Sequence, residues 1–417
     1  GTRHYIIPDA DAVIDPKRPE DDGVFKEICG AVVVWKFMGC LYKKFGKEQE
    51  FKNSDFLEIA SLGTVCDVME LQHDNRAIVK EGLKKMQNTS NIGLQALLEV
   101  LGLKDKTLTS YDYGFKIGPC INAEGRLDTA NEAFELLVET DYQKALEKAA
   151  QMRDLNVERQ ELTKQGMEEA FKIIDAEMQD DKVLVVYLPE VHESIAGIIA
   201  GRMKEHYHKP VFVITRPKEG LKGSGRSIEA YHMYKEMNKI KECFDKFGGH
   251  PMAAGFSMQE DRLEEFREKL NANATLTEDD FAEKVHIDVA LPISYLSESL
   301  INEFELLEPF GNENTKPLFA QKDLYIKGMR VLGTTGRCLK LFLSDANGTS
   351  IDAMYFGESD VFLEELISFC GKEEAQRIQK GLSHHIWMDV TYYPQVNEWR
   401  GQKNIQIVIQ NYRFKNL

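Results

Sequence analysis

Apolar and polar positions alternate in different ways along this chain, and the changes mark four regions. In the first, up to about residue 140, apolar runs mix with helical patterns. Ala31 to Met38 (A-V-V-V-W-K-F-M) reads as a buried helix or strand, and Phe56 to Leu71 as an apolar helix opening into a turn. From Tyr142 to about Met178 the period is helical throughout. Leu146, Ala149, Met152, Leu155, Leu162 and Phe171 recur at roughly helical spacing, charges fill the other faces, and no proline interrupts. Such a helix spans about 50 Å at 1.5 Å per residue, which predicts a connector between lobes. In the third region the β-branched run Val183 to Tyr187 predicts a strand. His192 to Met203 then predicts a turn and a helix, and Pro210 to Thr215 a second strand. Strand, helix and strand at this spacing predict an α/β layer that holds ligands at loop and helix ends.

After about Thr275, helical segments run to Leu307. Strand-like pieces follow: L-Y-I-K-G-M-R-V-L, C-L-K-L-F-L-S-D, S-I-D-A-M-Y-F, W-M-D-V-T-Y-Y and N-I-Q-I-V-I-Q-N-Y-R. A helical insert, roughly Ser359 to Lys380, interrupts them. Short strands with polar turns and one insert predict a small OB-type barrel. The fold class expected is α/β plus β.

Composition narrows the class. At 417 residues the chain has room for two or three domains. Its 43% hydrophobic and 29% charged residues are those of an ordinary folded protein. No run of eighteen apolar residues predicts a membrane helix. Cys29, Cys40, Cys66, Cys120, Cys243, Cys338 and Cys370 are scattered without a C-x-x-C, which argues against a zinc site and a disulfide framework. That usage predicts a reducing cytoplasm. The net charge of −16 speaks against nucleic-acid binding by the whole surface. Between Arg202 and Lys246, however, 11 Lys/Arg stand against 6 Asp/Glu. This segment reads either as a mixed solvated face or as one basic groove on an acidic body.

That segment carries the densest chemistry. S-G-R-S (Ser224, Gly225, Arg226, Ser227) precedes G-G-H-P-M-A-A-G, which begins at Gly248, Gly249 and His250. Glycines let a chain turn sharply and aim backbone N–H groups at an anion. A guanidinium, a hydroxyl and an imidazole add donors suited to phosphate. Each stretch alone also reads as an ordinary turn; the two together predict an anion site. His192 and Ser194 sit at a helix start, where a histidine is as often a cap as a ligand. Tyr392, Tyr393 and Trp399 could stack on bases, or fill the barrel core.

Several of these motifs, in this order, resemble the second half of the RecJ single-strand-specific exonucleases of the DHH phosphoesterase superfamily. They are A-S-L-G-T-V-C-D-V-M-E-L with Asn75 and Arg76, I-G-P-C-I-N-A-E-G-R-L (Ile117 to Leu127), the His192 segment, S-G-R-S with G-G-H-P-M-A-A-G, L-E-P-F-G-N-E-N (Leu307 to Asn314) and N-E-W-R-G (Asn397 to Gly401). The resemblance implies the remainder of a DHH domain over 1–140, a connecting helix over 141–178, a DHH-associated domain over 179–273 and an OB-like domain over 274–417. It further implies 5′-to-3′ hydrolysis of single-stranded DNA with Mn²⁺ or Mg²⁺ in recombination and repair. Single-stranded DNA is the implied partner, with a single-strand-binding protein or helicase beside it and no membrane.

By the same resemblance Asp67 is a metal ligand and catalytic residue, although an Asp ending an apolar helix is by itself usually a cap or turn residue. Asn122 and Arg126 fall near the cleaved end of the strand, where Arg126 would hold a phosphate or a domain-bridging ion pair. Ser224, Gly225, Arg226, Ser227, Gly248, Gly249, His250 and His192 would position the strand. Cys120 stands where the family often has Arg, and Glu193 and Ser194 replace what is commonly x-Gly. P-D-A-D-A-V-I-D-P-K-R (Pro8 to Arg18) resembles the stretch that follows D-H-H in the family. The resemblance thus implies that the catalytic D-x-D, a lone Asp and D-H-H lie upstream of these residues, and S-H-H at Ser383 to His385 lacks the Asp. One carboxylate cannot hold a two-metal pair, so the chain alone is expected to bind a strand without turning it over. The rival readings are a DHH-type phosphodiesterase for short oligonucleotides or cyclic dinucleotides, which the strand-rich tail disfavours, and a non-catalytic binding scaffold.

Overall fold

The computed structural model describes residues 8–18, 20–122, 131–333, 336–399 and 401–416. Arg126 and the Trp399 side chain lie outside the described residues. The chain divides into two compact units, 1–69 with 77–284 and 70–76 with 285–417.

In the first unit α1 (Gly30–Lys44), α2 (Phe56–Cys66), α3 (Ile92–Val100) and the short α4 (Gly118–Ile121) precede the long helix α5 (Tyr142–Glu177). The apolar run at Ala31 is thus a helix. Asp141 opens α5 by accepting the N–H groups of Gln143 and Lys144, which fills donors a helix start leaves unpaired. Its first half puts Ala145, Ala149 and Met152 into a core with Leu94, Leu97, Tyr113 and Ile117. Its second half puts Ala170 and Ile174 into a different core with Ile195, Ile199 and Met203. The helix therefore joins two cores, as its length and charged faces predict.

A five-stranded sheet follows, in the order β1-β2-β3-β5-β4. β1 (Leu184–Tyr187) pairs in parallel with β2 (Val211–Thr215), and α6 (Glu193–Tyr207) crosses between them. β3 (Leu221–Arg226), β4 (Lys246–Gly249) and β5 (Ala253–Met258) pair antiparallel. Helices α7 (Met233–Lys239) and α8 (Leu263–Asn273) cover one face through Met233, Phe212, Phe256 and Phe266. On the opposite face α6 covers β2 and β3, with Val211 and Val213 buried beneath it.

The second unit is built on a closed barrel. β7 (Phe319–Leu332), β8 (Cys338–Ser344), β9 (Ser350–Tyr355), β10 (Ile386–Trp399) and β11 (Gln402–Asn416) pair in a ring that β10 closes back onto β7. β6 (Val289–Ala290) adds to β7 outside the ring. The insert forms α9 (Ser359–Cys370) and α10 (Lys372–Gln379), whose Phe362, Leu366, Ala375 and Ile378 join the barrel core. Register shifts between Thr391 and Tyr392 and between Ile326 and Gly328 bend the long strands enough to close so small a ring. Among the described residues no helix is long and apolar enough to cross a membrane.

Candidate nucleic-acid interface

S-G-R-S and G-G-H are not turns. Their first three and two residues are the ends of β3 and β4, and none of Gly225, Gly248 or Gly249 has a positive φ. They lie in extended strands rather than in a loop, so the expected glycine cradle is replaced by a surface. β5 lies between the two strands and sets their register. Ser224, Gly255 and Gly248 stand in one row across β3, β5 and β4. Lys222, Ser257 and Lys246 form the row on one side, while Arg226 and Ala253 begin the row on the other. His250 continues that row, with its N–H donating to the Ala253 carbonyl at 2.9 Å. Side chains directly opposite in a sheet share a face, so these residues converge on one surface.

The middle of that surface is bare. A Cβ on Gly248 would meet nothing within 4 Å, and one on Gly255 only the Gly223 carbonyl at 3.9 Å. The other glycines serve packing. Gly225 faces the opposite core, where a Cβ would lie 2.5 Å from Met233 Sδ and 2.8 Å from Phe212 Cε1. Gly249 backs onto Ala253 and Ala254, with a Cβ 2.4 Å from the Ala253 carbonyl. Ser227 is also structural: it is buried and its hydroxyl donates to the Tyr231 carbonyl at 2.5 Å. These three expected ligands therefore shape the sheet rather than face its open side.

Helix α6 borders the bare strip. At Gly197 it comes so close to β3 that a Cβ would sit 2.8 Å from Arg226 Nη2 and 2.9 Å from Ser224 Oγ. Arg226 Nη1 donates to Ser224 Oγ at 3.1 Å and to the Gly225 carbonyl at 2.8 Å, which aims the guanidinium along the strip. Lys222 pairs with Glu193 at 2.7 Å. His250 Nδ1 accepts the Met252 N–H at 3.3 Å, leaving Nε2 as the ring's other polar atom. His192 is the N-cap of α6, its Nδ1 2.7 Å from Ser194 Oγ. Its capping role accounts for its place at the helix start.

The expected catalytic residues are more dispersed. Asp67 is the exposed C-cap of α2, beside Cys66, whose thiol burial and the Asp67 carboxylate push up to about 11. Among the described residues no group of three or more His, Cys, Asp or Glu side chains could hold a metal ion. Those residues do not fit a metal pair, and no hydrolytic step runs through Asp67 alone. Asn122 is exposed at the end of α4. Buried Cys120 lies by α5, where burial pushes its thiol up to about 11 against the field of Arg159 and Arg153. Arg159 is held on Asn156 Oδ1 at 2.8 and 3.2 Å, so α5 brings a guanidinium to the Cys120 neighbourhood.

In the second unit S-H-H is structural. His384 is buried, stacks on Tyr325 at 4.5 Å, donates from Nε2 to the Ile326 carbonyl at 2.6 Å and accepts the Ile386 N–H on Nδ1 at 3.1 Å. Tyr392 is fully buried and its hydroxyl donates to the Leu291 carbonyl at 2.5 Å, so it is a core residue rather than a base platform. Tyr393 is half-buried under Lys316, whose Nζ lies 4.8 Å from the ring centre.

Two motifs far apart in sequence meet here. The Leu71 N–H donates to the Asn312 carbonyl at 2.8 Å, and Arg76 Nη2 donates to the Leu306 and Glu308 carbonyls at 2.9 Å each. Leu71 is buried against Gly311, where a Cβ would lie 2.6 Å from Leu71 Cδ1. Arg76 thus belongs to a clasp, while Asn75 holds its own loop by donating from Nδ2 to the Glu70 carbonyl at 3.0 Å. The residues missed on the sheet face are Lys222, Lys246, Gly255, Ser257 and Gly197. Reading β3 with a period of two would have placed Lys222 beside Ser224 and Arg226.

Comparisons with known proteins agree with this architecture. The DHHA1 domain model matches residues 180–275 and the RecJ OB domain model residues 287–411. The single-stranded-DNA-specific exonuclease RecJ of Bacillus subtilis is 27% identical over 97% of this chain, which spans 49% of that protein. The chain therefore spans about half the length of that curated relative. RecJ of Thermus thermophilus in complex with Mg²⁺ superposes with a TM-score of 0.77 at 27% identity, over 94% of this chain and 57% of that one. Its complex with Mn²⁺ gives 0.75 at 26% identity, over 95% and 54%. A sheet with a polar, glycine-floored face, a closed barrel after it and kinship along nearly the whole length make this chain a RecJ homologue with a DHHA1 domain and a RecJ OB domain.

Proposed function

We propose that this chain is the strand-holding part of a metal-dependent nuclease that degrades single-stranded DNA from its 5′ end in recombination and repair, in the cytoplasm. The observation that supports it best is the open sheet face. Phosphate oxygens can come down to backbone level over Gly248 and Gly255 while Ser224, Arg226 and His250 surround them. A guanidinium in two fixed hydrogen bonds is already oriented, so little entropy is lost when it grips an anion. The structures with Mg²⁺ and with Mn²⁺ are those of Thermus thermophilus RecJ. This chain's residues bind and orient the strand.

Direct titration of fluorescent single-stranded and duplex DNA tests this reading. Single strands should bind more tightly than duplex, with affinity falling steeply as salt rises, because each phosphate contact displaces counterions. Arg226→Ala should weaken single-strand binding about tenfold, the value of one charge-assisted hydrogen bond. Equal affinity for duplex, or no change in Arg226→Ala, would refute it.

A further inference from the structure

The row of Lys222, Ser257 and Lys246 is not accounted for by a single phosphate above Gly248 and Gly255. Along β3, Lys222, Ser224 and Arg226 are spaced i, i+2, i+4 on one face, a repeat of about 6.8 Å. That repeat is close to the distance between successive phosphates of an extended nucleotide strand. Along β4 and β5 the same step leads from Gly248 to Lys246 and from Gly255 to Ser257. Lys222 and Lys246 lie two strand spacings apart, about 10 Å, with the Ser257 hydroxyl between them. An anion lying over Ser257 would have an ammonium on either side. The floor is again a small residue, and both lysines are exposed.

We propose that Lys222, Ser257 and Lys246 form a second phosphate subsite, which takes the phosphodiester next to the group held by Ser224 and Arg226. The sheet thereby measures one nucleotide step against its own two-residue repeat. Glu193 sets the strength of this subsite. Its carboxylate holds Lys222 at 2.7 Å, so an incoming phosphate must compete for that ammonium. Glu193 keeps the subsite weaker than Lys222 and Lys246 alone would make it, which favours release of the strand for each successive step.

The inference rests on the strand-binding reading above, and two probes separate the two. Thymidine 5′-monophosphate carries one phosphate group and needs only the Ser224–Arg226 site. A 5′-phosphorylated thymidine dinucleotide carries two and reaches both sites. With the 417-residue chain, Lys246→Ala should weaken the dinucleotide about fivefold and leave the monophosphate unchanged. Its slope of log affinity against log salt should flatten by about 0.7, the value of one single-strand phosphate contact. Glu193→Gln should act in the opposite direction, tightening the dinucleotide severalfold and steepening that slope. An unchanged dinucleotide-to-monophosphate affinity ratio in both variants would overturn the second subsite. If instead Arg226→Ala leaves both probes unaffected, the strand-binding reading itself fails. Thermal melting of each variant distinguishes lost binding from lost fold, and Ser257→Ala provides an independent variant with no change of charge.

Discussion

Gly255 offers a way to remove binding while leaving the fold in place. An ideal Cβ there meets only the Gly223 carbonyl, at 3.9 Å, and the residue's φ lies outside the positive range that favours glycine. Gly255→Val therefore enters open space at an exposed position of an otherwise half-buried strand. The β-propensity scale spans about 1 kcal/mol and favours valine over glycine, so stability should stay within about 1 kcal/mol of the parent. Binding should respond differently. The isopropyl group would cover the strip between Ser224 and Gly248 and hold a phosphate away from Arg226. Losing one charge-assisted hydrogen bond costs about 1.5–3 kcal/mol, or about 10- to 150-fold in affinity. Gly225→Val, one register position away on β3, is the contrasting variant. Its Cβ would collide with Met233 and Phe212, and overpacking of that kind costs about 1–3 kcal/mol. Urea unfolding and fluorescence anisotropy with a short 5′-phosphorylated oligonucleotide read the two quantities separately. If Gly255→Val binds the oligonucleotide within twofold of the parent, the bare strip is not where the strand lies.

Other expectations follow from single contacts. Gly197→Ala should melt like the parent, because the added methyl meets the movable ends of Arg226 and Ser224. It should nevertheless bind the oligonucleotide about tenfold more weakly by displacing that guanidinium; unchanged affinity would show that its position is immaterial. Arg76→Ala removes two hydrogen bonds to the Leu306 and Glu308 carbonyls and should destabilise the C-terminal unit by about 1–3 kcal/mol in a denaturant titration. A midpoint equal to the parent's would mean that the clasp contributes nothing. His384 makes stability depend on pH. Burial lowers its pKa below the ordinary 6.5 of histidine, and its Nδ1 already accepts the Ile386 N–H, which a proton would displace. The unfolded chain thus binds a proton more readily than the folded one. The contribution is present above about pH 6.5 and is lost as pH falls through the folded value. Urea midpoints at pH 7.5 and 5.5 should differ more for the parent than for His384→Gln, and an equal pH dependence would refute this.

Much of the architecture could be read from local pattern. The helical period from Tyr142, the β-branched run at Val183 and the alternation after Leu324 reflect backbone geometry and burial, which neighbouring residues determine. The chemistry of S-G-R-S and G-G-H was visible as donor types, but their conformation was not, since glycine permits turn and strand alike. What the open face contains depended on register. Lys222, Ser257 and Lys246 are 35 positions apart at most, yet only the pairing of β3, β5 and β4 sets them in one row. His384, Tyr392 and Arg76 show the same limit in reverse, because each carries functional-looking atoms whose partners come from distant segments. A sequence records which hydrogen-bonding groups a chain possesses. Whether they face solvent or one another is decided when distant segments pack, because a polar group in the interior must find a partner there.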